Sequence, residues 1–331
     1  MAYAAGPEYI QHCRLPRRPR HARGDDPVTM TEFSKWMLAA TADDPVRAVA
    51  ARTLAIRLAA VQHFLPLAAE HPDEDVEYVH QLRVATRRCV AALHLYRKIL
   101  PKAPRKALCA ELKRIRQAAG RARDYDVLIL HYTADAADAN TQRLLEEIRK
   151  KRQEVQEPLR AIYRLLVANQ QLQQLPQALC APEPEPEAAA GAQPFGPWAR
   201  RQLSKSVKAF FAAEPTRLKD LDALHQFRIR GKKLRYAMEL LVAAFPSSFQ
   251  TRLYPLIERV QDRLGEINDH AVACKRFRSW ITETENPALR KYLQQLVRRE
   301  RKRLRRSVLR FAYWWNPGRS KQVQRRFRRY T

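Results

Sequence analysis

Glycine is scarce in this sequence, which has 8 in 331 residues. β-Branched residues are sparse as well, whereas alanine, leucine, arginine, glutamine and glutamate dominate. The dominant residues favour helices, and sheets favour the β-branched residues that are few here. The sequence therefore predicts an all-α fold and argues against a sheet-based one.

Patterns that would hold a metal ion or a disulfide framework are also missing. The number of cysteines, 5, is odd, and no two share the CxxC spacing of a zinc site or a redox pair. They are Cys13, Cys89, Cys109, Cys180 and Cys274. Because unpaired cysteines fit a reducing compartment, we expect a cytoplasmic protein without a metal site.

The sequence has no long apolar run either. Residues 14–23 are rich in arginine, but no apolar segment follows them as in a secretion signal. Nowhere does an uncharged run of about 18 apolar residues occur. We therefore expect neither export nor insertion into a membrane.

Signatures of catalysis and of the common nucleic-acid-binding motifs are lacking too. There is no glycine-rich phosphate loop, no pair of carboxylates at metal-ligand spacing, and no nucleophile beside an evident base. Helix-turn-helix, zinc-finger and RNA-recognition patterns do not occur. We therefore expect no catalytic residues, no cofactor and no enzymatic activity.

Positive charge is abundant. The chain has 62 lysines and arginines against 34 acidic residues, a formal net charge of +28. Such an excess repels itself in a folded protein, and an anionic partner is the simplest explanation for it. The candidate partners are nucleic acid, a membrane surface and a polyphosphate other than nucleic acid.

Helical periodicity runs through most of the chain, with a Pro- and Glu-rich linker between two helical parts. Helix breaks are expected at residues 71–72, 101–104 and Gly120. The predicted helices span about residues 45–70, 73–100, 103–119, 124–135, 138–169, 198–213, 219–245, 248–264, 267–283 and 287–311. The predicted organisation is a flexible basic arm (1–29), a first helical repeat (30–175), the linker (176–197), a second helical repeat (198–311) and a basic tail that frays past Pro317 (312–331).

Two motifs occur twice at one separation. VHQLRVATRR (79–88) aligns without gaps on LHQFRIRGKK (224–233), 145 residues later. At the same separation, AGRARDYDV (119–127) falls on LGEINDHAV (264–272). The second alignment matches Gly120 with Gly265 and Asp124 with Asp269. Two motifs with a common separation predict an internal duplication.

Each of the two aspartates follows a glycine that could end a helix. We therefore expect Asp124 and Asp269 to cap the next helix, or to pair with Arg116 or Arg123.

On a helix the first motif gathers its cations on one face. With about 100° per residue, five of them fall within an arc of roughly 60°. They are His80, Arg83, Arg87, His94 and Lys98. Another face is apolar and predicts contact with the core: Leu82, Ala85, Cys89, Leu93, Tyr96 and Leu100.

The second motif repeats this arrangement, with Glu239 as an interruption of its basic stripe. Its cations are His225, Arg228, Lys232 and Arg235. Its apolar seam is Phe227, Gly231, Leu234, Met238 and Leu241. A basic face on one helix is usually just exposed to solvent. Two such faces at matching places in the sequence favour a binding site.

A helix reading H-x-x-R-x-x-x-R/K-R/K, followed by a glycine and an R/N-D segment, and repeated, resembles the CHAD family, the conserved histidine α-helical domain. The resemblance covers about residues 45–311. It implies two helical bundles related by a pseudo-twofold axis around a basic groove or pore that binds inorganic polyphosphate, and an association with polyphosphate granules. An ExExK strand motif, which marks a triphosphate-processing domain in some members, is absent.

The resemblance and the helix faces together give the predicted polyphosphate site. Its residues are His80, Arg83, Arg87, Arg88, His94, Lys98, Arg116, Arg123, His225, Arg228, Lys232, Lys233, Arg235 and Tyr236. The first copy has Val90 and Ala91 where the second has Arg235 and Tyr236, so we expect the second copy to hold more of the ligand. Cations every three or four residues form a ladder for phosphates, and protonated histidines would strengthen it as the pH falls.

The leading hypothesis is a non-enzymatic polyphosphate-binding protein located at granules. An alternative is a nucleic-acid-binding or architectural protein that acts through its basic arms, and a third is a polyphosphate-processing enzyme. The aromatic residues Phe311, Tyr313, Trp314 and Trp315 could stack on bases, although we expect them to pack their helix onto the core. Chain-length preference and oligomeric state do not follow from the sequence.

Overall fold

Ten α-helices make up most of the residues described by the computed structural model, which are 33–133, 139–169, 174, 179 and 192–331. They are α1 (Val46–Glu70), α2 (Val76–Leu95), α3 (Lys102–Thr133), α4 (Ala139–Glu154), α5 (Glu157–Ala168), α6 (Phe195–Phe211), α7 (Leu221–Leu241), α8 (Tyr254–Glu283), α9 (Pro287–Trp314) and α10 (Pro317–Phe327). A 3₁₀ turn (Val242–Ala244) follows α7, and a π turn (Phe249–Leu253) leads into α8. The predicted all-α fold is confirmed.

Helices α2 and α7, which contain the repeated H-x-x-R motif, begin in the same way. The carboxylate of Asp75 accepts a hydrogen bond from the backbone N–H of Glu77 at 2.8 Å. The carboxylate of Asp220 accepts bonds from the N–H groups of Asp222 and Ala223, each at 3.0 Å. These caps satisfy donors that the first turn leaves unpaired. The two aspartates are again 145 residues apart, which adds support to the duplication, still a prediction.

The expected helix breaks at Gly120 and Gly265 are wrong. Both glycines lie inside long helices, α3 and α8. A glycine costs a helix about 1 kcal/mol relative to alanine, which the packing of a long helix readily offsets. The expected capping by Asp124 and Asp269 is therefore wrong as well. Asp124 instead accepts a hydrogen bond at 2.9 Å from Arg276 of α8.

The end of the predicted linker is part of the folded structure. The backbone around Gln193 and Phe195 pairs with residues 42–46: Val46 N–H donates to the Gln193 carbonyl at 3.1 Å, and Phe195 N–H to the Asp44 carbonyl at 2.9 Å. Helix α6 begins at Phe195, two residues before the predicted linker ends. Most of 176–191 lies outside the described residues, as does the predicted arm 1–29.

The expected fraying past Pro317 is wrong, because α10 continues the fold. Its side chains Val323 and Phe327 are buried, and Asn316 caps it through a 2.9 Å bond from the Arg319 N–H. Phe311 and Trp315 are each 1% exposed, which confirms the expected packing for these two aromatics, whereas Tyr313 is 88% exposed and the expectation is wrong for it. Sequence reasoning missed α10 because few apolar residues separate its many arginines.

The apolar faces predicted for the two repeat helices are buried. Every member of the two predicted stripes is buried, with Leu82 and Leu234 at 0% exposure. Neighbouring helices pack in chain order, α2 on α3 and α7 on α8, and α2 also contacts α7. A cluster of α3, α4, α8 and α9 side chains, including Tyr132, Ile148, Phe277 and Leu296, packs the two halves together. The described residues from Lys35 to Thr331 form one compact unit.

Within the described ranges, none of the helices is both long and apolar enough to cross a membrane. The same residues contain no group of three or more histidine, cysteine, aspartate or glutamate side chains placed to hold a metal ion.

Candidate functional site

Cations from both repeat helices meet where α2 contacts α7. Arg87 of α2 acts electrostatically on Arg228 and on Lys232 of α7, which places the three charges near one another. All three side chains are half-buried. We refer to Arg87, Arg228 and Lys232 as the central cations. Sequence periodicity predicted each of them on its own helix, and the fold brings them together.

No carboxylate in the described part of the chain forms an ion pair with a central cation. Nε of Arg87 and Nε of Arg228 are also buried without a hydrogen-bond partner among the described residues. Buried donors that lack partners cost free energy, and buried like charges cost more. The central cations therefore form a site whose charge the described residues do not neutralise.

Lys232 shows the effect of this arrangement on protonation. Burial, together with the charges of Arg228, Arg87 and Arg235, lowers the pKa of Lys232 to about 7. Asp269 of α8 opposes the shift. Because the group titrates near neutral pH, its charge depends on what occupies the site.

Arg83 extends the site along α2. Its Nη1 donates a hydrogen bond to the carbonyl of Arg116 on α3 at 3.2 Å. A Cβ atom at Gly120 would collide with that same nitrogen, so the glycine gives the guanidinium room to cross α3. Burial and the charge of Arg87 lower the pKa of Arg83, and Asp124 opposes them.

The residues around Gly265, which aligns with Gly120, are arranged differently. A Cβ atom at Gly265 would meet nothing within 4 Å, so no arginine crosses that glycine. Arg228 nevertheless has a matching carboxylate: burial lowers its pKa and Asp269 opposes the shift, as Asp124 does for Arg83. Asp124 thus opposes the lowering of the Arg83 pKa, and Asp269 opposes the lowering of the Arg228 pKa.

A second group of cations lies at the C-terminal end of α2. Burial and then Lys233 lower the pKa of His94, with contributions from Arg105, Arg97 and Arg116. His94 and Lys233 are both exposed, and they join the two helices in one basic surface. Lys98 lies beyond the last residue of α2, so the predicted helical arc does not reach it. The sequence motif did not indicate Arg97 and Arg105, because Arg97 lies beyond the end of α2 and Arg105 lies on α3.

The motif histidines have different surroundings. Nδ1 of His225 lies 3.2 Å from Oδ1 of Asn268, on α8. His80 is half-buried on α2. Arg123, at the position matching Asn268, lies 3.9 Å from a carboxylate oxygen of Glu77. Helix α7, which carries His225, therefore packs beside Asn268 of α8, and α2, which carries His80, packs beside Arg123 of α3.

Three of the residues predicted to hold the ligand, Arg88, Arg235 and Tyr236, have contacts within the protein, and their part in binding stays a prediction. Glu239, only 1% exposed, accepts a hydrogen bond at 3.2 Å from Nε of Arg88, and its other oxygen lies 3.3 Å from Nη1 of Arg235. The hydroxyl of Tyr254 donates to Glu239 at 2.7 Å. Tyr236 is 8% exposed, and the guanidinium of Arg235 lies 5.1 Å from its ring centre.

The ion pairs with Glu239 bear on the expected asymmetry between the copies. Arg235 and Tyr236 were the residues expected to give the second copy its larger share of the ligand. Both are occupied by intramolecular contacts, so the geometry gives no support to that expectation. Glu239, seen in the sequence as an interruption of a stripe, is instead the carboxylate that joins α7 to α2.

Comparisons with known proteins agree with this arrangement of helices. The sequence model described as the CHAD domain matches residues 52–278, more than half of the chain. The chain belongs to the CHAD domain family. The match contains both repeat helices of this CHAD protein and the helices that pack on them.

Two solved structures share the CHAD fold of this chain. The CHAD domain from the plant Ricinus communis has a TM-score of 0.66 and 20% sequence identity, over 83% of this chain and 96% of that one. PptA from Streptomyces chartreusis has a TM-score of 0.58 and 16% identity, over 82% of this chain and 99% of that one. No curated protein matches the sequence.

Proposed function

We propose that this CHAD protein binds inorganic polyphosphate at the central cations and does not process it chemically. The observation that supports the proposal is the convergence of Arg87, Arg228 and Lys232 from two helices, with no ion-pair partner among the described residues. An anion that bridges the two helices would supply the missing charge.

Polyphosphate has the chemistry that such a site needs. It carries about one negative charge per phosphate along a flexible chain, so its affinity comes from many charge-assisted bonds and from released counterions. The forked guanidinium of arginine matches two phosphate oxygens, and the lysine ammonium acts as a point charge. Arg83 at one side and the surface of His94 and Lys233 at the other allow the chain to continue past the centre.

Family membership supports the same partner, because CHAD proteins are associated with polyphosphate. We propose accordingly that the protein is located at polyphosphate granules. The nucleic-acid alternative expected from the sequence has weaker support, since no helix-turn-helix, zinc-finger or RNA-recognition motif occurs in the sequence.

The test compares binding of long polyphosphate, DNA and RNA at one physiological salt concentration. Replacing Arg87 and Arg228 with glutamine should weaken polyphosphate binding by at least about tenfold, since a charged hydrogen bond contributes about 1.5 to 3 kcal/mol and the loss of even one corresponds to that factor. The matched control replaces two exposed arginines outside the site, Arg149 and Arg164, and should leave the affinity near that of the wild type.

Equal losses in the two double variants would show that net charge, and not the central cations, sets the affinity. Release of orthophosphate from polyphosphate in the presence of Mg²⁺ would contradict the non-enzymatic part of the proposal. A protein that binds only DNA or RNA would overturn the proposal as a whole.

A further inference from the structure

Helix α9 has a stripe of exposed side chains that the polyphosphate site does not use. The helix lies beyond the part of the chain matched by the family, and it packs through buried residues such as Leu293 and Phe311. Five exposed side chains recur once per turn on its outer face, within an arc of roughly 80°. We call them the α9 stripe: Arg298, Lys302, Arg305, Leu309 and Tyr313.

Two cations on α9 outside the stripe form ion pairs, and those of the stripe form none among the described residues. Arg303 forms an ion pair with Glu300 at 2.7 Å, and Arg310 forms one with Glu266. Arg298, Lys302 and Arg305 form none with any carboxylate in residues 33–133, 139–169 and 192–331. The outer face of α9 therefore presents its positive charge to solvent.

The stripe ends in apolar groups that solvent disfavours. Leu309 is 59% exposed and Tyr313 is 88% exposed. The neighbouring Trp314 has guanidinium groups of Arg263 and Arg319 at 4.5 and 4.7 Å from its ring centre. Tyr313 has no such neighbour among the described residues, so its ring is open to a stacking partner.

We propose that the α9 stripe binds single-stranded nucleic acid, with phosphates on Arg298, Lys302 and Arg305 and a base stacked on Tyr313. Proteins that bind single strands combine a basic track with an aromatic platform of this kind. The stripe is about 22 Å long at 1.5 Å per residue, which gives room for several nucleotides. Inorganic polyphosphate has no flat apolar group, so an exposed tyrosine would add nothing to its binding.

The decisive variant is Tyr313→Ala, tested by fluorescence anisotropy with a single-stranded oligothymidylate of about 12 nucleotides, within the usual size range of such sites. Stacking on one aromatic ring contributes about 1 to 3 kcal/mol, so we expect affinity for the oligonucleotide to fall at least about fivefold. Tyr313→Phe keeps the ring and should restore the affinity. Binding of polyphosphate should be unchanged in both variants.

A second set of variants tests the cations of the stripe. Replacing Arg298, Lys302 and Arg305 with glutamine should weaken oligonucleotide binding more than the same change at Lys321, Arg325 and Arg326, three exposed cations of α10. All of these side chains are at the surface, and circular dichroism will verify that the helices persist.

Two results would overturn the inference. One is an oligonucleotide affinity that Tyr313→Ala leaves unchanged. The other is an equal loss of oligonucleotide and polyphosphate binding in the stripe variant, which would make α9 a general polyanion surface. Neither result bears on the central cations, which lie on other helices.

Discussion

At the scale of single residues, the central cations keep positive charges in half-buried positions where they repel one another. Lys232 experiences Arg228 and Arg235 on its own helix, Arg87 on α2 and Asp269 on α8. Burial and then repulsion dominate, so the pKa of Lys232 falls to about 7. Such strain is common at binding sites, since a residue arranged for a ligand is rarely arranged for stability.

The affinity for polyphosphate should therefore depend on pH through Lys232. In the free protein the lysine loses its proton as the pH rises through about 7. Bound phosphates favour the charged form and raise the pKa, so binding takes up a proton above that pH. We expect the affinity to be highest below pH 7 and to fall as the pH rises towards 9. Calorimetry in buffers of different ionisation enthalpy measures the proton uptake.

The matched variant for this prediction is Lys232→Arg, which keeps the charge at every pH of the titration. Its affinity should vary less with pH between 7 and 9 than that of the wild type. If the two proteins give the same profile, the pH dependence belongs to other groups, such as the histidines that the sequence suggested.

Periodicity predicted the central cations because one helix face follows directly from the rotation per residue. It could not predict which cations are free to bind, because that depends on residues distant in sequence. Arg88 and Glu239 are 151 residues apart and form a partly buried pair. No pattern along a single helix contains that information.

At the scale of helices, the two matched glycines have different surroundings. The sequence suggested that Gly120 and Gly265 end helices, because glycine is a poor helix former. Both lie inside helices, and only Gly120 has an arginine crossing it. The approximate extents of most helices could be predicted, whereas the continuity of α3 and α8 through their glycines could not, since packing against neighbours overrides local propensity.

The substitutions Gly120→Ala and Gly265→Ala should have different effects on stability and on polyphosphate affinity. Gly265→Ala meets open space and should raise the free energy of unfolding by about 0.5 to 1 kcal/mol, with no change in polyphosphate affinity. Gly120→Ala should displace the guanidinium of Arg83, lower the affinity severalfold and stabilise the protein less. Urea denaturation and a binding titration measure the two quantities, and equal affinities in the two variants would contradict the role given to Gly120.

At the scale of the whole molecule, the fold brings cations from two distant parts of the chain together. Side chains of α3 and α4 form a common core with those of α8 and α9, and α2 contacts α7. Part of the positive charge of the chain, whose formal net value is +28, thus lies at the α2–α7 contact.

The dependence of binding on salt should report how many of these charges meet phosphates. For single strands, the logarithm of the affinity falls with the logarithm of salt concentration by about 0.7 per phosphate contacted. Replacing Arg87 and Arg228 with glutamine should reduce that slope by about 1.4, treating polyphosphate as a single strand. The Arg149 and Arg164 control should keep the wild-type slope, and a reduction there of equal size would refute a localised site.

The buried carboxylate of Glu239 has a consequence for how quickly a ligand is captured. By pairing with Arg88 and Arg235, it supplies an internal counter-anion that holds α2 and α7 together before any ligand arrives. The contact between α2 and α7 is then formed in advance, so ligand binding does not include the entropy cost of ordering the two helices. Capture of polyphosphate should accordingly proceed at an encounter-limited rate, steered by the field of the protein, with no slow step of assembly.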